Sequence, residues 1–250
     1  MALINNTTGK RFIKLLSVDS TNNYAMRQVQ NNAASHGDAY FAFEQTAGRG
    51  QFDKQWLSAK GENIIMSVVI DANGLLLQQQ FLLNMITALS TVQLFNKYTT
   101  EKIEIKWPND IYCRDRKAAG ILIENVVRGK TWQYAVAGFG VNINQTLFDE
   151  SLYNPVSLKQ LTGIQHDVLT LATELSNLFY QNLEMLFTQD INNLPEEYNR
   201  HLYKRSEVAS FRYGDEVFSA MVKRADVSGN LILDNGTEKA YRSGQLQWLH

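Results

Sequence analysis

An α+β fold with a small β-barrel at its C-terminal end is what this 250-residue sequence predicts, and three observations predict it. Apolar segments of strand length alternate with turn signals through residues 103–137. Two long stretches, 75–98 and 168–187, repeat apolar residues at helical spacing. Beyond Arg205 the character changes to short strands separated by glycine- and asparagine-containing turns.

Taken in order, residues 12–18 read as a strand. Ser20-Thr21-Asn22 is a hydroxyl and amide cluster of the kind that caps helices, so a helix to about residue 32 follows. Residues 39–44 form a second short strand that enters a glycine-containing loop, and 63–71, rich in Ile, Val and Met, form a third. Leu82, Leu83, Ile86, Leu89, Leu94 and Phe95 place a long helix over 75–98, lying across the sheet. Segments 103–107, 111–114, 120–127 and 132–137 make a strand meander, the last leading into Gly138-Phe139-Gly140-Val141-Asn142. Leu171, Leu175, Leu178, Phe179, Leu183 and Leu186 share one face of a helix over 168–187, and a further helical piece runs past Pro195 to about Leu202. Tyr213-Gly214-Asp215, Ser228-Gly229-Asn230 and Asp234-Asn235-Gly236 then punctuate the C-terminal strands, the last being a strong hairpin signal. The expected division is 1–205 for the main domain and 206–250 for the β-domain.

Composition narrows the function. With 24 basic against 25 acidic residues the net charge is -1, which supplies no general field for nucleic acid or an anionic membrane. Any phosphate recognition must therefore be local. The N-terminal residues are polar and lack the apolar run of a signal peptide, and no stretch of about eighteen uncharged apolar residues occurs. The single cysteine, Cys113, permits neither an internal disulfide nor a thiolate metal site, and it sits at a strand end between Tyr112 and Arg114, a poor place for a nucleophile. A reducing cytoplasm is the expected location.

Local recognition has obvious candidates. Gln45-Thr46-Ala47-Gly48-Arg49-Gly50-Gln51 is a loop whose glycines would let backbone N–H groups and a guanidinium close on an anion. Trp56 follows it. Lys106-Trp107-Pro108-Asn109-Asp110 adds a cation, an aromatic plate and two polar side chains, and Lys117-Ala118-Ala119-Gly120 places a second lysine before an apolar strand. Each has a plainer reading. Lys117 could be a solvated lysine in the charged run Arg114-Asp115-Arg116, Trp56 and Trp107 could be core residues, Asn109 and Asp110 could bond within their own turn, and one of Ser20, Thr21 and Asn22 could be a helix cap.

These pieces, in this order and spacing, resemble the biotin protein ligases over essentially the whole chain. The resemblance implies a mixed sheet backed by helices, like the catalytic core of class II aminoacyl-tRNA synthetases, followed by an SH3-like barrel. It implies two half-reactions: biotin and Mg²⁺-ATP give biotinyl-5′-AMP and pyrophosphate, and the acyl group passes to a lysine of a biotin carboxyl carrier domain from acetyl-CoA carboxylase or a related carboxylase. No tightly bound prosthetic group, resident protein-held metal, nucleic-acid partner or membrane is implied, and relatives are monomers or homodimers. Larger bacterial members carry an N-terminal helix-turn-helix; this sequence starts at the catalytic domain and so resembles the short, non-regulatory type.

By the same resemblance, Lys117, Arg49 and Asp110 are the candidate catalytic groups. Ser20, Thr21, Asn22, Gln45, Arg49, Gly50, Gln51, Lys117 and Gly120 would contact biotin, while Gln51, Trp56, Asn109, Lys117 and Asn142 would contact the nucleotide. Lys117 is suited to meet charge developing on the phosphoryl oxygens. Trp56 would border the adenine, Trp107 would support the pocket wall beside Pro108, and Asn109 and Asp110 would orient phosphates and Mg²⁺. Lys204, Arg205, Arg212, Lys223 and Arg224 could dock an acidic carrier domain. One departure stands out: the commonest family loop, Gly-Arg-Gly-Arg-x-Gly-Arg, continues here as Gly50-Gln51-Phe52-Asp53-Lys54. Loss of a guanidinium and gain of an aspartate predict looser retention of the adenylate. Two rival functions remain, a lipoate ligase on the same fold and a catalytically silent biotin-binding protein.

Overall fold

Eight consecutive buried residues, Asn63 to Ile70, make the central strand of the molecule. The computed structural model describes residues 2–5, 10–52, 54–188 and 191–249. Before the central strand come β1 (Ala2–Asn5), β2 (Arg11–Leu15), α1 (Thr21–Gln30) and β3 (Ala39–Ala42), and the central strand itself is β4 (Asn63–Asp71). It is followed by α2 (Gln80–Tyr98), β5 (Ile103–Lys106), β6 (Asp110–Cys113), β7 (Arg116–Arg128) and β8 (Thr131–Asn142). Three helices come next: α3 (Leu158–Thr162), α4 (Val168–Thr188) and α5 (Leu194–Arg200).

The first eight strands form one mixed sheet in the order β1-β2-β3-β4-β8-β7-β6-β5, in which β2 and β3 run parallel and the other neighbours antiparallel. Because side chains alternate along a strand, β4 serves both faces. Ile64, Met66, Val68 and Ile70 pack into the large core with α2 and α4, whereas Val69 joins Ala25 and Val29 of α1 on the other face. Helix α2 is buried on nearly every side, and its Thr87, Ser90 and Thr91 hydroxyls donate to the carbonyls of Leu83, Ile86 and Thr87, four residues back. That removes the desolvation penalty of polar groups in an apolar layer. None of the helices among the described residues is long and apolar enough to cross a membrane.

The C-terminal residues form β9 (Val208–Tyr213), β10 (Glu216–Ala225), β11 (Leu231–Asp234), β12 (Glu238–Tyr241) and β13 (Leu246–Trp248), an antiparallel sheet ordered β12-β11-β10-β9-β13. The expected barrel is an open sheet, since no ladder joins β12 to β13 among the described residues. Strand β13 is only three residues long, and its Trp248 indole N–H donates to the Trp107 carbonyl of the first unit at 3.2 Å. Trp107 Nε1 returns a bond to the Gly229 carbonyl at 3.1 Å, and the Asn199 carboxamide closes a buried pair with Ala225. The two sheets are thus fastened by directional bonds as well as apolar contact.

Three features differ from the sequence expectation. β1 and α3 were not expected, although Ser157-x-x-Gln160 makes a capping box and Gly163, at φ 74°, ends α3 in the left-handed region, so signals for that helix were present. Strands β7 and β8 are longer than expected, and β8 continues through Gly138 and Gly140 instead of ending at Ala137. A Cβ at Gly138 would lie 2.3 Å from Asn22 Oδ1, and one at Gly140 would lie 2.4 Å from the Trp56 ring. These glycines mark where other groups press onto the sheet, not where it bends.

Candidate functional site

A cavity of about 940 Å³ opens above β7 and β8 on the α1 side of the sheet. Gly120, Gly138 and Gly140 line it, with the Trp56 ring close over Gly120 and Gly140. Ser20, Thr21, Asn22 and Gln45 line one region of it; Lys106, Asn109, Asp110 and Lys117 line another. The loop from Arg49 to Lys54, the 148–155 segment and residues 243–248 of the second sheet complete the walls, leaving Asp53 outside the described residues.

The first region is neutral and buried. Ser20 is the N-cap of α1, its Oγ accepting from Asn23 N at a long 3.5 Å, so the capping reading holds for it. Thr21 N donates to Gln45 Oε1 at 2.7 Å, which fixes the orientation of that amide. Thr21 Oγ1 lies 3.1 Å from the same oxygen and 2.7 Å from Ser67 Oγ, which in turn is 2.6 Å from Asn22 Oδ1. Thr21 and Asn22 are each 3% exposed and Ser67 is 0% exposed. Two hydroxyl protons serve three short contacts here, so the cluster is rich in acceptors and one proton short. Asn22 Nδ2 reaches out of the cluster, donating to Glu124 Oε2 at 2.9 Å.

The second region is charged. Strand pairing of β6 with β7 sets Asp110 opposite Gly120, and Asp110 Oδ1 meets Lys117 Nζ at 2.7 Å. The Lys117 ammonium lies 5.9 Å from the Trp56 ring centroid, within reach of its π face. Lys106 is buried, and burial pulls its pKa down to about 8. Among the described residues, Asp110 is the only carboxylate lining the cavity, and no group of three His, Cys, Asp or Glu side chains could hold a metal ion. Asp110 could supply the one protein oxygen ligand of an ion carried in on phosphates, as Mg²⁺ commonly is.

Several of the expected site residues already have partners within the protein. Asn109 Nδ2 donates to the Ile121 carbonyl at 2.7 Å, so its side-chain donor ties its own turn to β7. Asn142 Nδ2 is shared between the carbonyls of Lys117 and Val156 at 3.3 and 3.2 Å. Both asparagines border the cavity, yet their amide donors brace the strand that carries Lys117. The glycine loop does not present its amides as an open cradle: Gly50 N donates to Lys54 O at 2.7 Å and Trp56 N to Gly48 O at 3.0 Å. The Arg49 guanidinium is engaged by Asn23 Oδ1 at 2.7 Å and Glu124 Oε1 at 3.0 Å, on the side of the neutral cluster. Gln51 lies on the rim and Trp56 close over the strand glycines, its Nε1 buried without a hydrogen-bond partner. An orphaned buried donor costs about 1–3 kcal/mol, which makes it a natural anchor for a ligand acceptor. Of the basic cluster suggested for docking, Arg205 and Arg224 are paired with Glu196 and Glu238.

Sequence reading did not single out Ser67 or Asn23, and it gave Glu124, the end of the Lys117 motif, no role of its own; Lys106 was read only as the cation of its block. Glu124 carries the one signal that was available, since an acidic residue in the middle of an apolar strand needs a partner. Ser67 was hidden inside a strand-forming run.

The model of the Biotin/lipoate A/B protein ligase family matches residues 15–142. The bifunctional ligase/repressor BirA of Escherichia coli is 29% identical over 241 residues, covering 92% of this chain and 71% of that protein. The biotin–[acetyl-CoA-carboxylase] ligase of Paracoccus denitrificans is 27% identical over 226 residues, covering 88% of this chain and 92% of that protein. In fold, the biotin protein ligase from Aquifex aeolicus in complex with biotin and ATP matches with a TM-score of 0.80 at 22% identity, over 96% of this chain and 98% of that one.

Proposed function

The chain belongs to the biotin/lipoate A/B protein ligase family, and from that premise we propose that it is an ATP-dependent biotin–protein ligase whose acceptor is a lysine of a biotin carboxyl carrier domain. The observation that carries the choice of acid is the acceptor-rich cluster of Thr21, Asn22, Gln45 and Ser67. A ureido ring brings N–H donors to such a cluster. The dithiolane of lipoate brings none, and a buried polar site rejects a ligand that leaves it unsatisfied. Ser20, Gly50, Gln51 and Gly120 would complete the contacts to biotin.

With the ring in the neutral region, the valeryl carboxylate extends over Gly120 and Gly140 towards Lys117. A carboxylate oxygen attacks the α-phosphorus of ATP, the bond to the β-phosphate bridging oxygen breaks, and that oxygen leaves with the electron pair on pyrophosphate. Lys117, aimed by Asp110, meets the charge that builds on the phosphoryl oxygens. Mg²⁺ brought in with ATP would neutralise charge on the phosphates, and Asp110 would hold it. Trp56 and Gln51 flank the nucleotide, and Asn109 and Asn142 hold the Lys117 strand in place. In the second step the acceptor amine attacks the acyl carbon, AMP leaves, and Asp110 takes the amine proton. Arg49 closes the loop and excludes water from the mixed anhydride. Residues 1–205 would form the catalytic domain, with a core of the class II synthetase kind, and 206–250 an SH3-like module.

Purified protein is mixed with Mg²⁺-ATP and either biotin or lipoate, following pyrophosphate exchange and the intact mass of an apo carrier domain. Biotin-dependent exchange with a biotin-sized mass gain is expected. Exchange with lipoate alone would move the protein to the lipoate branch, and no exchange with either acid would leave a binding protein.

A further inference from the structure

Glu124 shares a face of β7 with Gly120 and Leu122, which line the cavity. Its two oxygens go to two different elements. Oε2 accepts from Asn22 Nδ2, in the first turn of α1, at 2.9 Å, and Oε1 meets the Arg49 guanidinium of the glycine loop at 3.0 Å. The same Asn22 nitrogen donates to the Leu122 carbonyl at 3.3 Å, so both amide protons are committed to β7 and Oδ1 is turned to Ser67 Oγ at 2.6 Å. Arg49 has a second hold on Asn23 Oδ1 at 2.7 Å, and Asn23 Nδ2 is itself bonded to Asp19 at 2.9 Å. A continuous chain of bonds therefore runs from Thr21 and Gln45 through Ser67, Asn22 and Glu124 to the loop. The Glu124 and Arg49 side chains are 21% and 46% exposed, so solvent screens the pair and its contribution is more geometry than attraction.

Resting on the ligase reading above, we propose that Glu124 is a positioning residue that ties recognition of the ureido ring to the placement of the glycine loop. Both groups it meets are donors. A carboxylate accepts on both oxygens, whereas a glutamine amide accepts on one side only and turns N–H groups towards the other donor. The strand therefore needs an acid at this point, although Ile121, Leu122 and Ile123 before it are apolar. At the ureido end Glu124 sets polarity: by holding Nδ2 it leaves Asn22 an acceptor towards the cluster. Were that amide reversed, Nδ2 would give the cluster the proton it lacks, and the pocket would no longer favour a ring that brings N–H donors. At the loop end Glu124 holds Arg49, the residue from which the loop wall runs to Lys54. A ligand that satisfies the cluster steadies Asn22, and through Glu124 it steadies Arg49. The plainer role, a carboxylate that only neutralises Arg49, would leave the ureido end indifferent to it.

Measurements at the two ends separate these roles. Glu124→Gln keeps the size of the side chain and one acceptor oxygen, which the charged guanidinium should claim, leaving N–H groups against Asn22 and turning its acceptor away from the cluster. The KM for biotin should then rise about tenfold, the usual consequence of losing a hydrogen bond to a charged group. Adenylate formation at saturating biotin should stay within about threefold, because the Lys117–Asp110 pair is untouched. In the ligand-free protein, trypsin cleavage after Arg49, read by fragment mass, should quicken about fivefold, since the partner of Arg49 has become neutral. A KM for biotin that stays within about twofold overturns the coupling even if cleavage quickens, because Glu124 would then serve the loop alone. A fall in adenylate formation at unchanged KM overturns it too, since Glu124 would then belong to the chemistry. Should the Gln variant fail to fold, Glu124→Asp keeps the charge and both acceptors but draws them back by one carbon. The KM for biotin and cleavage after Arg49 should then rise together, and either one unmoved overturns the proposal. A wild type without biotin-dependent exchange would instead sink the ligase reading itself.

Discussion

The two polar regions of the cavity are built on opposite principles. Around Thr21 and Asn22 the groups are neutral, almost fully buried and bonded to one another, whereas around Lys117 they are charged, with side chains 31% and 24% exposed in the Lys117–Asp110 pair. A buried neutral cluster keeps its geometry whether or not a ligand is present, and leaving it unsatisfied is costly, so it selects. An accessible ion pair selects little, because solvent screens it, but it places charge where a reaction generates charge. Recognition and rate are therefore expected to be separable by mutation, the first through binding and the second through turnover.

The largest effect should come from removing the cation. Lys117→Ala should lower the rate of biotinyl-AMP formation by about 10²–10³-fold, as the loss of one preorganised charge-stabilising group usually does. The KM for biotin should move far less. Rapid-quench measurement of adenylate formation at saturating biotin checks this, and a variant that lost biotin affinity at unchanged turnover would erase the contrast between the regions.

A gain of charge should sharpen the contrast from the other side. Gln51 stands on the rim where the commonest family loop has arginine. Gln51→Arg should slow release of biotinyl-AMP about tenfold or more, since a charge-assisted hydrogen bond to phosphate contributes roughly 1.5–3 kcal/mol. The KM for biotin should not change. Filter-binding dissociation kinetics with labelled adenylate report it directly, and an unaltered release rate would remove the loop from adenylate retention.

How much of this was legible in the sequence follows the same divide. Strand β4 was legible to the residue because a run of Ile, Val and Met between turn signals has few other uses, and helices α2 and α4 were legible from their apolar spacing. Lys117 with Asp110, and Thr21 with Gln45, could be named because short motifs carry them. What could not be read was which partner each side chain takes. Asn109 and Asn142 bond to backbone carbonyls that lie 12 and 25 residues away in the chain, and Arg49 turns to Glu124, which sits in a strand otherwise read as apolar. The glycines of β8 gave no sign of their neighbours, because only the fold shows that Asn22 and Trp56 lie against them. Open pairing at β12 and β13 was likewise invisible to local pattern.

The smallest effect isolates the neutral region. Thr21→Val replaces a hydroxyl by a methyl of similar size, so the N-terminus of α1 and the Thr21 N–H bond to Gln45 remain. What is lost is one proton and one acceptor from a cluster already one proton short, and Ser67 keeps only Asn22 as a partner. A neutral hydrogen bond contributes about 0.5–1.5 kcal/mol net, so the KM for biotin should rise about three- to tenfold with kcat nearly constant. If the hydroxyl instead served the chemistry, kcat would fall and KM would hold. Steady-state kinetics over a biotin titration decide between them. The neutral variant also offers a control that the charged end cannot: discrimination between biotin and lipoate should narrow in Thr21→Val, because a pocket with fewer unsatisfied acceptors penalises a ligand without N–H groups less.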